Sequence, residues 1–127
     1  MSANVPGELR YTKDHEWTAK DGASVKVGIT AHAVEQLGDI TLVQIDCKVG
    51  DTLTQGKAFG TIESVKTLSD LYAPLAGKVT AVNADLDKSP ELVNQDCYGK
   101  AWMIAIEPAS AGDVDKLLDA EAYKKLL

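Results

Sequence analysis

Few side chains in this sequence have the types and spacing that chemistry requires. His15 and His32 are the only histidines, and Cys47 and Cys97 are the only cysteines. The histidines stand 17 residues apart, without the short spacing of a zinc-ligand pair, so we predict surface or helix-cap histidines and no metal site. The cysteines form no CxxC pair and are expected to be reduced, half-buried thiols. A glycine-rich nucleotide motif, a P-loop and a GxSxG elbow are all missing, so the sequence gives little support to an enzyme that acts alone.

Lys66 is the one side chain whose setting suggests a chemical role. It follows Glu63, Ser64 and Val65 in a segment where the pattern predicts the tip of a hairpin. A lysine in a turn is ordinarily a solvated charge. The alternative is covalent attachment, because an ammonium group on a rigid, exposed tip can enter the cleft of a modifying enzyme. The residues alone leave both interpretations open.

Short β-branched runs separated by turn residues must position this hairpin. We predict strands at Ser24–Ile29, Ile40–Ile45, Ala58–Glu63, Lys78–Val82 and Ala101–Ile106. Several short strands at regular spacing favour an all-β sandwich or barrel. A weak similarity at an offset of 34 residues, which aligns Phe59 with Val93, suggests two related β-units.

Three helical pieces are predicted around the strands. Thr30 can cap a helix that runs to Leu37 and stops at Gly38. Ser89 and Pro90 have the residue types that open a single helical turn. The tail has Asp113 as a candidate cap, basic residues in its last turn, and helical spacing of its apolar residues Val114, Leu117, Leu118 and Leu126.

Length and charge narrow the possible functions. The 127 residues predict a single domain, with a core over about 9–107 and a helical tail over about 111–127. The net charge of −6 argues against a nucleic-acid partner, and no apolar run approaches the roughly 20 residues that span a bilayer. Residues 1–10 have neither the basic and apolar regions of a signal peptide nor the composition of a transit peptide. We therefore expect a cytoplasmic bacterial protein rather than a mature mitochondrial matrix protein.

A series of ordered blocks resembles the H-protein of the glycine cleavage system. The resemblance runs from about Leu9 to Tyr123, and Glu-Ser-Val-Lys would be a weak signal without the other blocks. The main blocks are Tyr11–Trp17, Leu37–Ile40, Gly56–Gly60, Ile62–Lys66, Ser69–Pro74, Ser89–Asn94, Tyr98–Met103 and Leu117–Tyr123. The implied fold is mainly β, a barrel-sandwich hybrid of the lipoyl/biotinyl type with short helices and a C-terminal helical tail.

The resemblance implies a non-catalytic carrier with lipoic acid in amide linkage on Lys66. Glu63, Ser64 and Val65 would then shape the turn for a lipoylating enzyme, either a lipoate ligase or an octanoyl/lipoyl transferase. The arm would receive an aminomethyl group from the pyridoxal-phosphate-dependent glycine decarboxylase (P-protein). It would pass that group to the tetrahydrofolate-dependent aminomethyltransferase (T-protein), and dihydrolipoamide dehydrogenase (L-protein) would reoxidise it.

The same resemblance suggests which carboxylates hold the amine of the loaded arm. We expect Glu16 first and Asp70 second, because a carboxylate can bind a cationic amine by a charge-assisted hydrogen bond. Gln36 stands where some family members have a histidine near the arm. Cys47 and Cys97 stand where proline is common in the family.

Other carrier and non-carrier functions remain open. Biotinyl domains have methionine on both sides of the lysine, whereas Val65 and Thr67 flank Lys66 here. An H-like protein that relays lipoyl or octanoyl groups to other complexes would carry the same attachment site. An interaction module with an unmodified Lys66 is the alternative from a different class.

Overall fold

Two antiparallel sheets form the framework of the chain. A computed structural model describes residues 5–110 and 112–127, and within these residues nine strands and a few short helices are present. The elements in chain order are β1 Arg10–Tyr11, β2 Glu16–Asp21, β3 Ser24–Ile29, α1 Ala31–Leu37, β4 Ile40–Ile45, β5 Thr52–Leu53, β6 Ala58–Ser64, β7 Leu68–Tyr72, β8 Gly77–Val82, α2 Asp85–Lys88, α3 Leu92–Gln95, β9 Ile104–Pro108, a 3-10 helix Val114–Lys116 and α4 Ala120–Lys124.

The larger sheet has six strands in the order β1-β2-β3-β9-β8-β5, and the smaller sheet has three in the order β4-β6-β7. Every strand pair is antiparallel. The two sheets enclose a core of aliphatic side chains together with Phe59 and Met103. This architecture confirms the predicted mainly β fold with short helices, and it places the β6–β7 hairpin in the smaller sheet.

The chain segment that leads into the small sheet matches the sequence prediction closely. Strands β3 and β4 have the predicted bounds, and α1 begins and ends where the capping residues indicated. The side chain of Thr30 accepts a hydrogen bond from the Ala33 N–H, which is the expected N-cap contact. Gly38 ends the helix at φ 82°, a conformation that favours glycine.

A second, smaller apolar cluster joins the tail to the large sheet. Tyr11 and Tyr123 stack with ring centroids 4.7 Å apart, and Trp17 and Ala120 complete the buried part of this cluster. Tyr11 and Leu118 also exchange two backbone hydrogen bonds of 2.8 and 2.9 Å. The tail therefore packs on β1 and β2, at the end of the sheet where β2 begins.

The predicted continuous tail helix is wrong in detail. The tail contains a 3-10 turn, then an extended stretch at Leu117 and Leu118, and then α4. Asp119 is the cap, because its carboxylate accepts from the Ala122 N–H, whereas Asp113 makes no capping contact. Pairing with Tyr11 draws the chain into an extended conformation that interrupts the helix. The predicted start of the tail at residue 111, like residues 1–4, lies outside the described residues.

Three further predictions differ from the structure at least in part. A turn opens at Ser89, whose carbonyl accepts from the Leu92 N–H at 3.1 Å, but the regular helix α3 begins only at Leu92. The last strand runs from Ile104 to Pro108 rather than from Ala101 to Ile106. The residues just before it form turns, and the N–H of Met103 donates to the Val27 carbonyl of the adjoining strand β3. The 34-residue offset aligns Phe59 of β6 with Val93 of α3, so it does not relate two β-units.

No helix in the described part of the chain is long and apolar enough to cross a membrane.

We expect Gly28→Ala to destabilise the fold. A Cβ atom at this position would lie 2.6 Å from the indole ring of Trp17, the residue that pairs with Gly28 across β2 and β3. Trp17 is buried and its Nε1 donates to the Cys97 carbonyl, so the ring cannot easily move. Overpacking of this kind costs about 1–3 kcal/mol. Denaturant unfolding measures the loss.

Gly7→Ala is the matched control for this substitution. A Cβ atom at Gly7 meets nothing within 4 Å, so its stability should stay within about 0.5 kcal/mol of the wild type. Equal stability of the two variants would contradict the expected overpacking, since it would mean that the Trp17 ring moves aside without loss of stability.

Candidate functional site

Lys66 lies at the exposed tip of the hairpin that joins β6 to β7. The Oγ atom of Ser64 accepts hydrogen bonds from the N–H groups of Lys66 and Thr67, both at 3.2 Å. The N–H of Ser64 donates to the Thr67 carbonyl at 2.8 Å. Ser64 is buried, whereas Val65 is 68% exposed. By closing the turn with its hydroxyl group, Ser64 fixes the backbone of Lys66 and does not engage the lysine side chain.

The loop between α1 and β4 supports the tip from the side. The N–H of Val65 donates to the carbonyl of Asp39 at 3.0 Å. A Cβ atom on Gly38 would lie 3.3 Å from Cε of Lys66, so the lysine side chain runs beside this glycine. Since Gly38 ends α1, the stem of Lys66 lies next to the C-terminal end of that helix.

A cavity of about 150 Å³ opens between α1, the start of β2 and the β6–β7 hairpin. Part of its wall is apolar, and acidic and amide side chains occupy the rest. It is lined by Asp14, His15, Glu16, Ile29, Ala33, Gln36, Leu37, Ile62, Ser69, Asp70 and Leu71. Lys66 does not line this cavity, but Leu37, which does, directly precedes Gly38, the residue beside the lysine stem. A larger cavity, of about 460 Å³, also includes Asp14 and Glu16 but no residue between 62 and 71.

Glu16 is a buried carboxyl group at the junction of the two sheets. It is 2% exposed and stands at the start of β2 in the large sheet. Its Oε1 accepts from the Thr12 hydroxyl at 2.9 Å, and its Oε2 accepts from the N–H of Tyr72 in β7 at 3.0 Å. Burial raises the pKa of Glu16 to about 7, although both hydrogen bonds favour the charged form. The group can therefore gain or lose a proton near neutral pH.

The remaining residues predicted for the site fall into two places. Asp70 lies on β7, where it is exposed and lines the cavity, and its Oδ2 accepts a long hydrogen bond of 3.4 Å from the Tyr72 hydroxyl. Gln36 lines the same cavity from α1. Glu63 is exposed on β6, just before the tip. The structure thus brings Glu16 and Asp70 together in one cavity and places Glu63 at the end of β6, opposite Leu68 and before the turn that holds Lys66.

A family model described as glycine cleavage H-protein matches residues 9–127. The chain belongs to this family. A glycine cleavage system H protein from Myxococcus xanthus is 52% identical over 127 residues, which cover all of this chain and 98% of the relative. One from Bacteroides fragilis is also 52% identical, over 98% of each chain. The crystal structure of a glycine cleavage system H protein from Mycobacterium marinum, 40% identical, superposes with a TM-score of 0.85 and covers 95% of this chain and 97% of that one.

Membership of the H-protein family confirms the general function predicted from the sequence. The chain is a carrier subunit of the glycine cleavage system and not a catalyst. The similar solved structure also confirms the predicted fold.

One hydrogen-bond network in this H-protein was not anticipated from the sequence. Nδ1 of His15 lies 2.8 Å from the Tyr123 hydroxyl, which in turn lies 2.7 Å from Oγ1 of the buried N-cap Thr30. The ring of His15 also lies 4.7 Å from the ring of His32. Burial first, and the neighbouring His32 second, lower the pKa of His15. The tail thereby contacts the helix and the turn that line the cavity.

His15 differs from the prediction, because it is half-buried and bonds to Tyr123, whereas His32 lies in the first turn of α1, next to the cap, as one of the predicted alternatives allowed. The cysteines agree with the prediction. Cys47 and Cys97 are free and half-buried, and burial raises the pKa of both thiols, that of Cys97 to about 11. Within residues 5–110 and 112–127, no group of three or more histidine, cysteine or acidic side chains could hold a metal ion.

We expect Glu16→Gln to remove a pH dependence of stability. The folded protein retains the Glu16 proton up to about pH 7, whereas the unfolded chain releases it near 4.5. Folded wild-type protein therefore loses stability relative to the unfolded chain as the pH rises from about 4.5 to 7. The free energy of unfolding of the variant, minus that of the wild type, should increase by about 2–3 kcal/mol across this window. Denaturant unfolding at pH 5 and pH 8 measures both values.

Glu63→Gln controls for the general change in net charge. It removes an exposed carboxylate outside the cavity. A Glu16→Gln curve that runs parallel to the wild type from pH 5 to pH 8 would contradict the raised pKa.

Proposed function

We propose that Lys66 is the attachment point for lipoic acid, held in amide linkage as N6-lipoyllysine. The observation that carries this proposal is the exposed lysine on a turn closed by Ser64, at the tip of a hairpin whose strands line a cavity. In the glycine cleavage system the bound group would supply a redox-active dithiolane that carries the aminomethyl unit of glycine from P-protein to T-protein and is reoxidised by L-protein. The chain itself supplies the attachment point, the cavity that shields the arm from water, and the surface on which the partner enzymes dock.

The residues along the path from Lys66 into the cavity fit such an arm. The stem of Lys66 lies beside Gly38, where any larger residue would crowd it. Beyond this point, Leu37, Ile62 and Leu71 contribute an apolar wall. An aliphatic chain of the kind that lipoic acid provides can lie against these side chains and remove their surface from water.

Carboxylates within the same cavity suit a cationic amine. Glu16 lies at the junction of the sheets, and Asp70 lines the cavity from β7. A positive charge next to Glu16 favours the ionised form of this buried carboxyl group and lowers its pKa. We propose that Glu16 and Asp70 hold the amine by charge-assisted hydrogen bonds, which also withhold it from water.

The turn before the lysine suits recognition by a lipoylating enzyme. Ser64 fixes the backbone of the tip through its hydroxyl group, while Glu63 and Val65 project from either side of it into solvent. We propose that these three residues present Lys66 to a lipoate ligase or an octanoyl/lipoyl transferase. A rigid turn reduces the entropy that the enzyme must remove when it binds the lysine.

The partner enzymes would dock on an acidic surface. The net charge of −6 becomes more negative when Lys66 is acylated, because an ammonium group is replaced by a neutral amide. Opposite charge on the partner faces would accelerate association and orient the carrier. We propose that the chain is a single carrier domain. We also propose that it acts in the cytoplasm of a bacterium, in line with relatives from bacteria such as Myxococcus xanthus.

Intact-mass analysis tests the attachment site. After co-expression with a lipoylating enzyme and lipoate, the wild-type protein is expected to gain the mass of one lipoyl group. Lys66→Arg should gain none, because its guanidinium group cannot form the amide. Lys57→Arg, which changes another exposed lysine in a turn, should be modified like the wild type. An adduct that persists in Lys66→Arg, or its absence from the wild type, would exclude Lys66 as the carrier residue.

The proposed roles of Glu16 and Asp70 predict a shorter lifetime of the glycine-derived group. Loaded Glu16→Gln and Asp70→Asn proteins should release ammonia about tenfold faster than the wild type when T-protein is omitted, because a charge-assisted contact is lost. Lipoylation itself should be unaffected. Glu121→Gln is the control, since this exposed carboxylate lies outside both the cavity and the lysine turn. A variant with the wild-type lifetime would show that its carboxylate does not contact the loaded arm.

A further inference from the structure

Asn94 lies outside the cavity, yet its side chain contacts the loop that supports the lysine hairpin. Its Oδ1 accepts a hydrogen bond from the Ile40 N–H at 2.9 Å, and its Nδ2 donates to the Gly38 carbonyl at 3.0 Å. The side-chain amide therefore binds both ends of the segment 38–40, which we call the α1–β4 loop. Only this orientation of the amide satisfies the Ile40 donor and the Gly38 acceptor together.

The α1–β4 loop in turn contacts the tip of the hairpin at three consecutive residues. Gly38 lies against the side chain of Lys66, the carbonyl of Asp39 accepts from the Val65 N–H, and Ile40 pairs with Ser64 across β4 and β6. A shift of this loop must therefore change the position of the lysine. Asn94 is thus connected to the backbone of the tip through two hydrogen bonds, one to the Gly38 carbonyl and one between Val65 and Asp39.

Hydrogen bonds are the main forces that hold the tip, whereas the loop has one buried side chain, that of Ile40. Val65 is 68% exposed and Leu68 is 64% exposed, so burial of apolar side chains contributes little at the tip. Gly38 has φ 82° and ψ −150°, a backbone conformation that is accessible essentially to glycine alone and that the surrounding contacts must maintain. The bond from Nδ2 of Asn94 reaches the carbonyl of this same residue.

The helix that bears Asn94 is anchored in the core. Val93, its neighbour in α3, is fully buried among the core side chains, and Leu92 packs against the same cluster. Asn94 itself is exposed at the surface. The side chain therefore connects α3, which is fixed in the core, to both ends of the loop: the buried Ile40 and Gly38, which has no side chain to pack.

We propose that Asn94 is a positioning residue for the lysine hairpin. It holds the α1–β4 loop in the conformation that places Val65 and Lys66 for modification. This proposal rests on the proposed role of Lys66 as the attachment point. The ranges Leu37–Ile40, Ile62–Lys66 and Ser89–Asn94 are thus linked in space by one side-chain amide.

Amide hydrogen exchange of the unmodified full-length protein tests the contact without any lipoylation. In Asn94→Ala, the Val65 N–H is expected to exchange about tenfold faster than in the wild type, the ratio that the loss of two exposed hydrogen bonds produces. The N–H of Val79, which donates to the Asp51 carbonyl elsewhere in the fold, should exchange at the wild-type rate. Gln95→Ala, at the adjacent exposed position of α3, is the matched control and should leave the Val65 N–H unchanged.

Asn94→Asp provides a conservative variant with its own pH signature. Ionised, an aspartate accepts from the Ile40 N–H but offers no donor to the Gly38 carbonyl; protonated, it offers both groups. We expect the Val65 N–H in this variant to exchange faster than in the wild type at pH 7, but more slowly than in Asn94→Ala, because the bond from the Ile40 N–H remains. Near pH 3.5 it should return towards the wild-type rate measured at the same pH.

Lipoylation kinetics test whether the contact positions Lys66. With a lipoylating enzyme, the KM for Asn94→Ala should rise while kcat changes little, by the factor by which the fraction of molecules with an ordered tip falls, because only that fraction is competent to bind. An unchanged KM alongside faster Val65 exchange would overturn the positioning role. Val65 exchange equal to that of Gln95→Ala, or Val65 and Val79 rates that rise together, would also overturn it. Failure of the attachment proposal is separate, since it would appear as unmodified wild-type protein.

Discussion

The central position of β6 in the smaller sheet is the constraint on which the lysine site depends. A strand that pairs on both sides cannot slip in register without breaking two ladders at once and turning its buried side chains outward. The pairs Ile40 with Ser64 and Glu63 with Leu68 therefore define where β6 ends and the turn begins. Lys66 owes its position to backbone pairing, while its side chain makes no contribution to the core.

The buried carboxyl group of Glu16 joins the two sheets beside this hairpin. Placing a carboxylate among apolar side chains is unfavourable, and the resulting rise in its pKa to about 7 expresses that cost. Two hydrogen bonds offset part of it, and one of them reaches from β2 to the backbone of β7. The arrangement sacrifices some stability near neutral pH to keep an ionisable group in the wall of the cavity.

Local signals predicted the parts of the fold that local contacts determine. Helix α1 has a threonine at its N-cap and a glycine after its last turn, and both act within a few residues. Strands β3 and β4 carry runs of β-branched residues between clear turn residues. The tail misled the prediction because Asp113 and Asp119 are equally plausible caps by residue type. Pairing of Leu118 with Tyr11, which lies over a hundred residues away, decided between them.

The sequence by itself determined the turn that carries Lys66, the family to which the chain belongs and the mainly β class of its fold. These features rest on residue order and on capping and turn preferences that operate over short stretches. Only the tertiary structure decided the burial of Glu16, the contact of His15 with Tyr123 and the contacts of Asn94 with the α1–β4 loop. Each joins residues more than fifty positions apart, or depends on how much solvent reaches a side chain. Spacing along the chain contains no measure of either, because both arise from the way the two sheets and the tail pack together.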